Sequence, residues 1–197
     1  IVKPRLRGRA LLVRYADDFV IVFEHRADAA QVYAVLPRRF AKYGLTLHPE
    51  KTKLLAFGRP GDGVGLECPA SFDFLGFTHT WQRSLRGYWV VKQKTASKRL
   101  RRALRAVSDW CRQNRHRPVS EQQATLSRKV RGHCAYYGIT GNSEALWRFR
   151  CGLLRLWRKW LMRRSASARQ SWEWWYAFCA RHPLPSAIAI HSEMRHQ

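Results

Sequence analysis

Leu11-Leu12-Val13-Arg14-Tyr15-Ala16-Asp17-Asp18-Phe19-Val20-Ile21-Val22-Phe23 is the stretch on which the fold of this chain turns. Two apolar runs, rich in β-branched and aromatic residues, flank the acids. They predict two short buried strands joined by a tight turn. Adjacent carboxylates at such a turn repel each other. A cation held there relieves the repulsion, and hard divalent ions such as Mg²⁺ take carboxylate oxygens while keeping positions open for substrate phosphates. Asp also tolerates turn conformations on its own account. Taken alone, the stretch reads in two ways: a solvated hairpin turn, or a metal site for phosphoryl transfer.

The rest of the chain bears on that choice through its charge. Its 197 residues carry 37 Lys+Arg against 13 Asp+Glu, a formal net charge of +24. Such an excess points to a polyanionic partner, nucleic acid first and an acidic membrane second. The charge is uneven: residues 1–94 hold 16 basic and 8 acidic side chains, residues 95–197 hold 21 and 5. With 13% aromatic residues and nine Trp, the chain has ample apolar surface to bury and is not a disordered basic tail. No stretch approaches the roughly 20 apolar residues of a membrane-spanning helix, and no signal peptide is visible. Cys68, Cys111, Cys134, Cys151 and Cys179 include no Cys-x-x-Cys pair, and read as reduced packing residues of a cytosolic protein. The histidines, among them His25, His79, His116, His133, His182, His191 and His196, form no ligand pattern.

Strand periodicity gives way to helix periodicity near residues 92–96. Before it, residues 28–43 place Val32, Val35, Leu36, Phe40 and Tyr43 at helical spacing. Gly44 suits the end of that helix, and Pro37 threatens to kink it. Leu45–Leu47 and Leu54–Phe57 are short strand candidates around Pro49. Residues 58–70, with Gly58, Pro60, Gly61, Gly63, Gly65 and Pro69, read as a flexible loop. Phe72–Trp81 and Tyr88–Val91 read as paired strands around an Arg86-Gly87 turn. Beyond the boundary, residues 95–114 put Leu100, Leu104, Val107 and Cys111 on one face and Lys98, Arg99, Arg101, Arg102 and Arg105 around the rest. Ser120 with Gln123 suggests a capping box for a helix to about Tyr137. Asn142 or Ser143 opens a third helix, with Leu146, Phe149, Leu153, Leu156, Trp157 and Trp160 inward. Ser171 opens a short Trp-rich one. The fold class is α+β, antiparallel strands with a helix followed by an all-α domain. The domains are residues 1–93 and 94–197.

Three further stretches follow the acidic turn in order: Gly44-Leu45-Thr46-Leu47-His48-Pro49-Glu50-Lys51-Thr52-Lys53, Phe72-Asp73-Phe74-Leu75-Gly76-Phe77, and Leu126-Ser127-Arg128-Lys129-Val130-Arg131-Gly132-His133-Cys134-Ala135-Tyr136-Tyr137-Gly138. With Tyr15-Ala16-Asp17-Asp18 they resemble the reverse transcriptases encoded by group II introns, over nearly the whole chain. In that family the first stretch is the palm hairpin, the third a hairpin near the primer end, and the fourth the core of the helical thumb and maturase domain.

The resemblance implies a partial palm followed by that thumb and maturase domain. It implies RNA-directed DNA synthesis from dNTPs on an RNA template with a DNA primer, and binding of the group II intron RNA. A non-catalytic maturase that assists splicing is the alternative reading. Asp17 and Asp18 are the implied catalytic and metal-binding residues, with Mg²⁺ at a two-metal site. Because the partner Asp belongs to an earlier palm motif, that site is expected to be incomplete in this chain, which reads as the C-terminal part of a longer protein. Tyr15 and Ala16 flank the site, Tyr15 alternatively packing within its strand. Lys51, with Lys53, sits near the active site or in a solvated turn. Phe74, Leu75 and Gly76 form the primer-end hairpin, Phe74 and Leu75 reading more readily as core than as contacts. The expected setting is a cytoplasmic ribonucleoprotein of a bacterial cell, with no membrane.

The basic helices carry the candidate RNA contacts. Long cationic side chains around an amphipathic helix can track a phosphate backbone, and Asp109 is the one acid in residues 95–114. The expected contacts are Lys98, Arg99, Arg101, Arg102, Arg105, Arg128, Lys129, Arg131, Arg148, Arg155, Arg158 and Lys159. Arg150, Arg163 and Arg164 continue the same basic theme. Trp172, Trp174, Trp175 and Tyr176 could stack on bases, although core packing is the stronger reading for them.

Overall fold

The structure is a computed structural model and describes residues 6–61, 71–164 and 170–191. Gly63, Gly65, Cys68, Pro69 and His196 lie outside the described residues. The chain divides into two compact units, one of Ile1–Leu75 with His79–Val91, the other of Gly76–Thr78 with Lys92–Gln197.

In the first unit, β1 (Ala10–Tyr15) and β2 (Asp18–Phe23) pair antiparallel, in register from Ala10↔Phe23 to Tyr15↔Asp18. The β-branched and aromatic run forms the predicted hairpin, but the hairpin is not buried. Leu11, Leu12, Val13, Tyr15 and Val22 are exposed, while Phe19, Val20, Ile21 and Phe23 are half-buried. One face is covered by α1 (Arg26–Ala41), with Phe40 stacked on Phe19 at 5.8 Å. Val32, Leu36 and Phe40 line that side of α1. Val35 and Tyr43, expected inward, are exposed. Pro37 sits inside α1 without ending it. It removes the N–H that would reach the Tyr33 carbonyl.

Leu45–Leu47 and Leu54–Phe57 form no strand. Between them the chain turns about His48, whose carbonyl accepts from Lys51 N (3.2 Å) and Thr52 N (2.9 Å), and Leu45, Leu54 and Leu55 stay exposed. Strand formation needs a paired ladder, and local apolarity alone does not provide one. Phe57 packs instead on Phe72 and Trp81, and Trp81 Nε1 donates to the Phe57 carbonyl.

The run Phe72–Trp81 is broken in two. β3 (Phe72–Phe74) turns back at Leu75-Gly76 into β4 (Phe77–Arg83), and β5 (Trp89–Thr95) completes a three-stranded sheet in the order β3-β4-β5. Leu75 (φ 49°) and Gly76 (φ 81°) are both left-handed, the signature of a two-residue hairpin turn whose twist matches the strands. Gly87 lies in the β4–β5 turn, as the sequence predicts.

The second unit is helical: α2 (Ser97–Gln113), α3 (Val119–Tyr137), α4 (Ser143–Leu161) and α5 (Trp172–Arg181). Val107 and Cys111 of α2, Leu126, Val130 and Cys134 of α3, and Leu146, Phe149, Leu153 and Trp157 of α4 make one core with Trp175 and Phe178 of α5. A polar hub sits inside it. Gln122, 1% exposed, accepts from Trp157 Nε1 at 2.9 Å and donates to the carbonyls of Arg115 (3.1 Å) and Arg117 (2.9 Å). Every group of its amide is satisfied, so the helix connection is tied to the core without a desolvation penalty. Asn142 does the same elsewhere, accepting from Thr95 N and donating to Thr95 Oγ1 and the Tyr137 carbonyl.

Asn142 precedes α4, as expected, but its side chain is spent on that bridge and caps nothing. The Ser120–Gln123 capping box is absent: Pro118 starts α3 earlier, and Gln123 Nε2 donates to the Pro183 carbonyl. Ser171 caps α5, its Oγ accepting from Trp174 N at 3.2 Å. Cys111, Cys134, Cys151 and Cys179 are free thiols.

His133 carries a pH consequence. It is buried and stacked on Phe149 at 3.8 Å, and its Nε2 has no hydrogen-bond partner among the described residues. Burial pulls its pKa down to about 4. The unfolded chain therefore binds a proton that the folded one refuses. Stability from this group is unchanged above about pH 6.5 and is lost as the pH falls from about 6.5 towards about 4. The expected loss is about 3 kcal/mol, because each tenfold drop in proton affinity is worth ~1.4 kcal/mol. Thermal melts from pH 7 to pH 4 measure it, and His133→Phe should flatten the decline. An equal decline in that variant would contradict the assignment.

Candidate nucleic-acid interface

The acidic turn is built by register. Tyr15↔Asp18 is the last pair, so Ala16 and Asp17 are the two loop residues and Asp18 begins β2. Ala16 stands at φ 52°, a left-handed conformation that costs a non-glycine residue ~1–2 kcal/mol. Tyr15, Asp17 and Asp18 are all exposed. The oxygen donors suit Mg²⁺ in kind. They do not suit a two-metal centre in number, because no third His, Cys, Asp or Glu joins them among the described residues. Asp28, the buried acid of this unit, is occupied in accepting from Gly8 N at 3.0 Å.

Gly76 and Phe77 meet the end of α3. Gly76 lies so close to Tyr137 that an added Cβ would stand 2.9 Å from its hydroxyl. Phe77 packs on Tyr136 (6.0 Å) and edge-on to Tyr137 (5.3 Å). The Gly76 carbonyl accepts from Ala96 N at 2.9 Å. Burial and Tyr136 push the Tyr137 phenol up, while Arg99 and Arg102 pull it the other way. Phe74 and Leu75 are half-buried, and Lys51 and Lys53 are exposed beside the His48 turn.

Lys98, Arg99, Arg101, Arg102 and Arg105 of α2 are all exposed. Among the described residues, ion pairs join Arg9 to Glu24, Lys94 to Glu144, Arg117 to Glu121 and Arg148 to Glu144, and none engages those five. Arg128 and Arg131 of α3 are exposed, and Lys129 is half-buried. On α4, Arg155 and Lys159 are exposed, Arg148 is held by Glu144 at 2.6 Å, and Arg158 lies under Trp172. An open groove floored by Leu104, Gly152 and Leu156 brings Arg105 and Arg155 together.

Two arginines of the basic theme do other work. Arg150 donates to the carbonyls of Pro185 and Leu184, and Arg164 to those of Arg115 and Arg117. Sequence reasoning had no signal for this, since both sit in a run of cations. It also missed Gln122, Asn142 and His133 as buried residues. Trp174 and Trp175 pack inward as expected, whereas Trp172 and Tyr176 do not. No described helix is long and apolar enough to cross a membrane.

Against this geometry stand two family matches. Residues 3–79 match "Reverse transcriptase (RNA-dependent DNA polymerase)", and residues 100–178 match "Group II intron, maturase-specific domain". Among curated proteins none matches the chain.

Proposed function

We propose, for a chain that belongs to the group II intron reverse transcriptase and maturase family, that α2, α3 and α4 bind structured intron RNA and that the Asp17-Asp18 turn serves RNA-directed DNA synthesis. The observation that carries this reading is the unshared charge of α2, whose five exposed cations have no carboxylate partner among the described residues. Unpaired surface cations release counterions from a polyanion at no cost in broken ion pairs. Arg128 and Arg131 on α3, Arg155 and Lys159 on α4, and the more engaged Lys129, Arg148 and Arg158 are the further contacts of this reading. The reading divides the chain into a palm part, residues 1–93, and a thumb and maturase part, residues 94–197, working in a cytoplasmic ribonucleoprotein.

Asp17 and Asp18, joined by a further carboxylate, would hold Mg²⁺, which would supply charge stabilisation to the transferring phosphate. This chain contributes two carboxylates at the tip of a hairpin, flanked by Tyr15 and Ala16. Lys51 and the Phe74-Leu75-Gly76 turn belong to the template–primer side of the same reading. The absence of a third ligand among the described residues favours a second reading, a maturase that binds RNA without polymerising.

Primer extension tests whether the Asp17-Asp18 turn suffices for synthesis. Residues 1–197 with an RNA template, an annealed DNA primer, dNTPs and Mg²⁺ should give no detectable product. A metal cage short of a ligand forfeits several kcal/mol, and each ~1.4 kcal/mol is tenfold in rate. Robust extension abolished by Asp17→Ala would show that the turn suffices and overturn that expectation.

A further inference from the structure

We propose that Trp172 and Tyr176 form a stacking platform for an unpaired RNA base, backed by Arg158; the proposal rests on the RNA-binding reading above and names a contact that the cationic face does not supply. Helix α5 reads Trp172-Glu173-Trp174-Trp175-Tyr176-Ala177-Phe178-Cys179. Trp175 and Phe178, three apart, face the core and are buried, and Trp174 stacks on Phe178 at 5.0 Å. Trp172 and Tyr176, four apart, share the other side. They are 56% and 67% exposed, with ring centroids 6.2 Å apart and planes 32° from parallel. The core needs neither ring.

Arg158 of α4 fixes the platform. Its guanidinium lies 3.8 Å from the Trp172 ring centroid, and its Nη2 donates to the Gln170 carbonyl at 3.2 Å. A cation over an indole is held by the ring's quadrupole, so one face of Trp172 is pinned and the indole remains largely open to solvent. A ring ordered beforehand loses little freedom on binding. Arg155 and Lys159, neighbours of Arg158 on α4, are exposed, and Glu173 is the one acid of α5. Aromatic faces among cations match a base joined to its phosphate, because every base offers a π-face whatever its sequence. A protein partner for the rings would have to be acidic, and the test below distinguishes it.

The full chain is titrated with short single-stranded oligo(A) and with a blunt RNA duplex carrying the same number of phosphates. Trp172→Leu keeps apolar bulk and loses the π-face. It should lower oligo(A) affinity about tenfold, leaving duplex affinity and salt slope unchanged, while Trp172→Phe keeps most of the affinity. Tyr176→Leu repeats the test without disturbing Arg158, should the first variant melt early. Undiminished oligo(A) binding in both Leu variants, or equal losses on both RNAs, overturns the platform. Self-association that depends on the two rings overturns it too and makes the patch a protein interface. Failure of the wild-type chain to bind either RNA would instead sink the RNA-binding reading itself.

Discussion

Reversing Arg101, Arg102 and Arg105 to Glu should cut affinity for structured group II intron RNA by about 100-fold or more at ~0.1 M salt. The magnitude follows from counterion release: each phosphate contact contributes ~0.7–0.9 of a log unit in affinity per log unit of salt, so three lost contacts amount to two log units or more. The added carboxylates then repel the phosphates. All three residues are exposed on α2, and none is in an ion pair among the described residues, so folding should not suffer. Filter binding and circular dichroism on the same samples check both halves. Loss of affinity with an unchanged spectrum is expected; unchanged affinity would move the interface away from α2.

Gly138→Ala should destabilise the helical unit by about 3 kcal/mol or more, the magnitude of overpacking against fixed backbone. Gly138 ends α3, where an added Cβ would overlap the Cys134 carbonyl oxygen and come within 3.1 Å of Ile190 N. Both neighbours are backbone, so no rotamer change relieves the clash. The same glycine's carbonyl accepts from Ile190 N (2.7 Å) and His191 N (2.8 Å), which anchors the last described segment. For a unit of this size the change lowers the melting temperature by roughly 12 °C or more. Gly132→Ala is the contrast: nothing lies within 4 Å of its added Cβ, and helix propensity predicts a gain of up to ~1 kcal/mol. Thermal melts of the two variants should move in opposite directions. Equal shifts would mean that the close approach at Gly138 is absent.

What could be read from the residues follows from how local the information is. The Leu11–Phe23 hairpin, the α2 face of Val107 and Cys111, and the Ser171 cap each depend on spacing within a few residues, and each is present. The exposure of Leu11, Leu12 and Val13 was not legible, because a strand's sequence does not say what covers it. Leu45–Leu47 and Leu54–Phe57 failed as strands for the same reason: pairing is decided by distant chain.

The buried polar groups were hidden differently. Gln122 looks like a surface residue of an amphipathic helix and Asn142 like a helix cap, and only the carbonyls of Arg115, Arg117 and Tyr137, brought near by the fold, make them internal. Arg150 and Arg164 were indistinguishable from RNA-facing cations until their carbonyl partners were visible. The candidate site divides along the same line. Asp17 and Asp18 were evident as a pair, but the number of ligands around them is a tertiary fact.

The central claim, that the cationic face of the helical unit holds RNA by neutralising its phosphates, is tested most directly by the salt dependence of binding. The affinity of the wild-type chain and of the Arg101→Glu, Arg102→Glu, Arg105→Glu variant for a structured group II intron RNA is measured across a salt series. Both plots of log K against log salt should be linear, the wild type steep and the variant flatter by about 2–3 units, one increment of ~0.7–0.9 for each phosphate released. Parallel lines would contradict the account, whatever the affinities themselves.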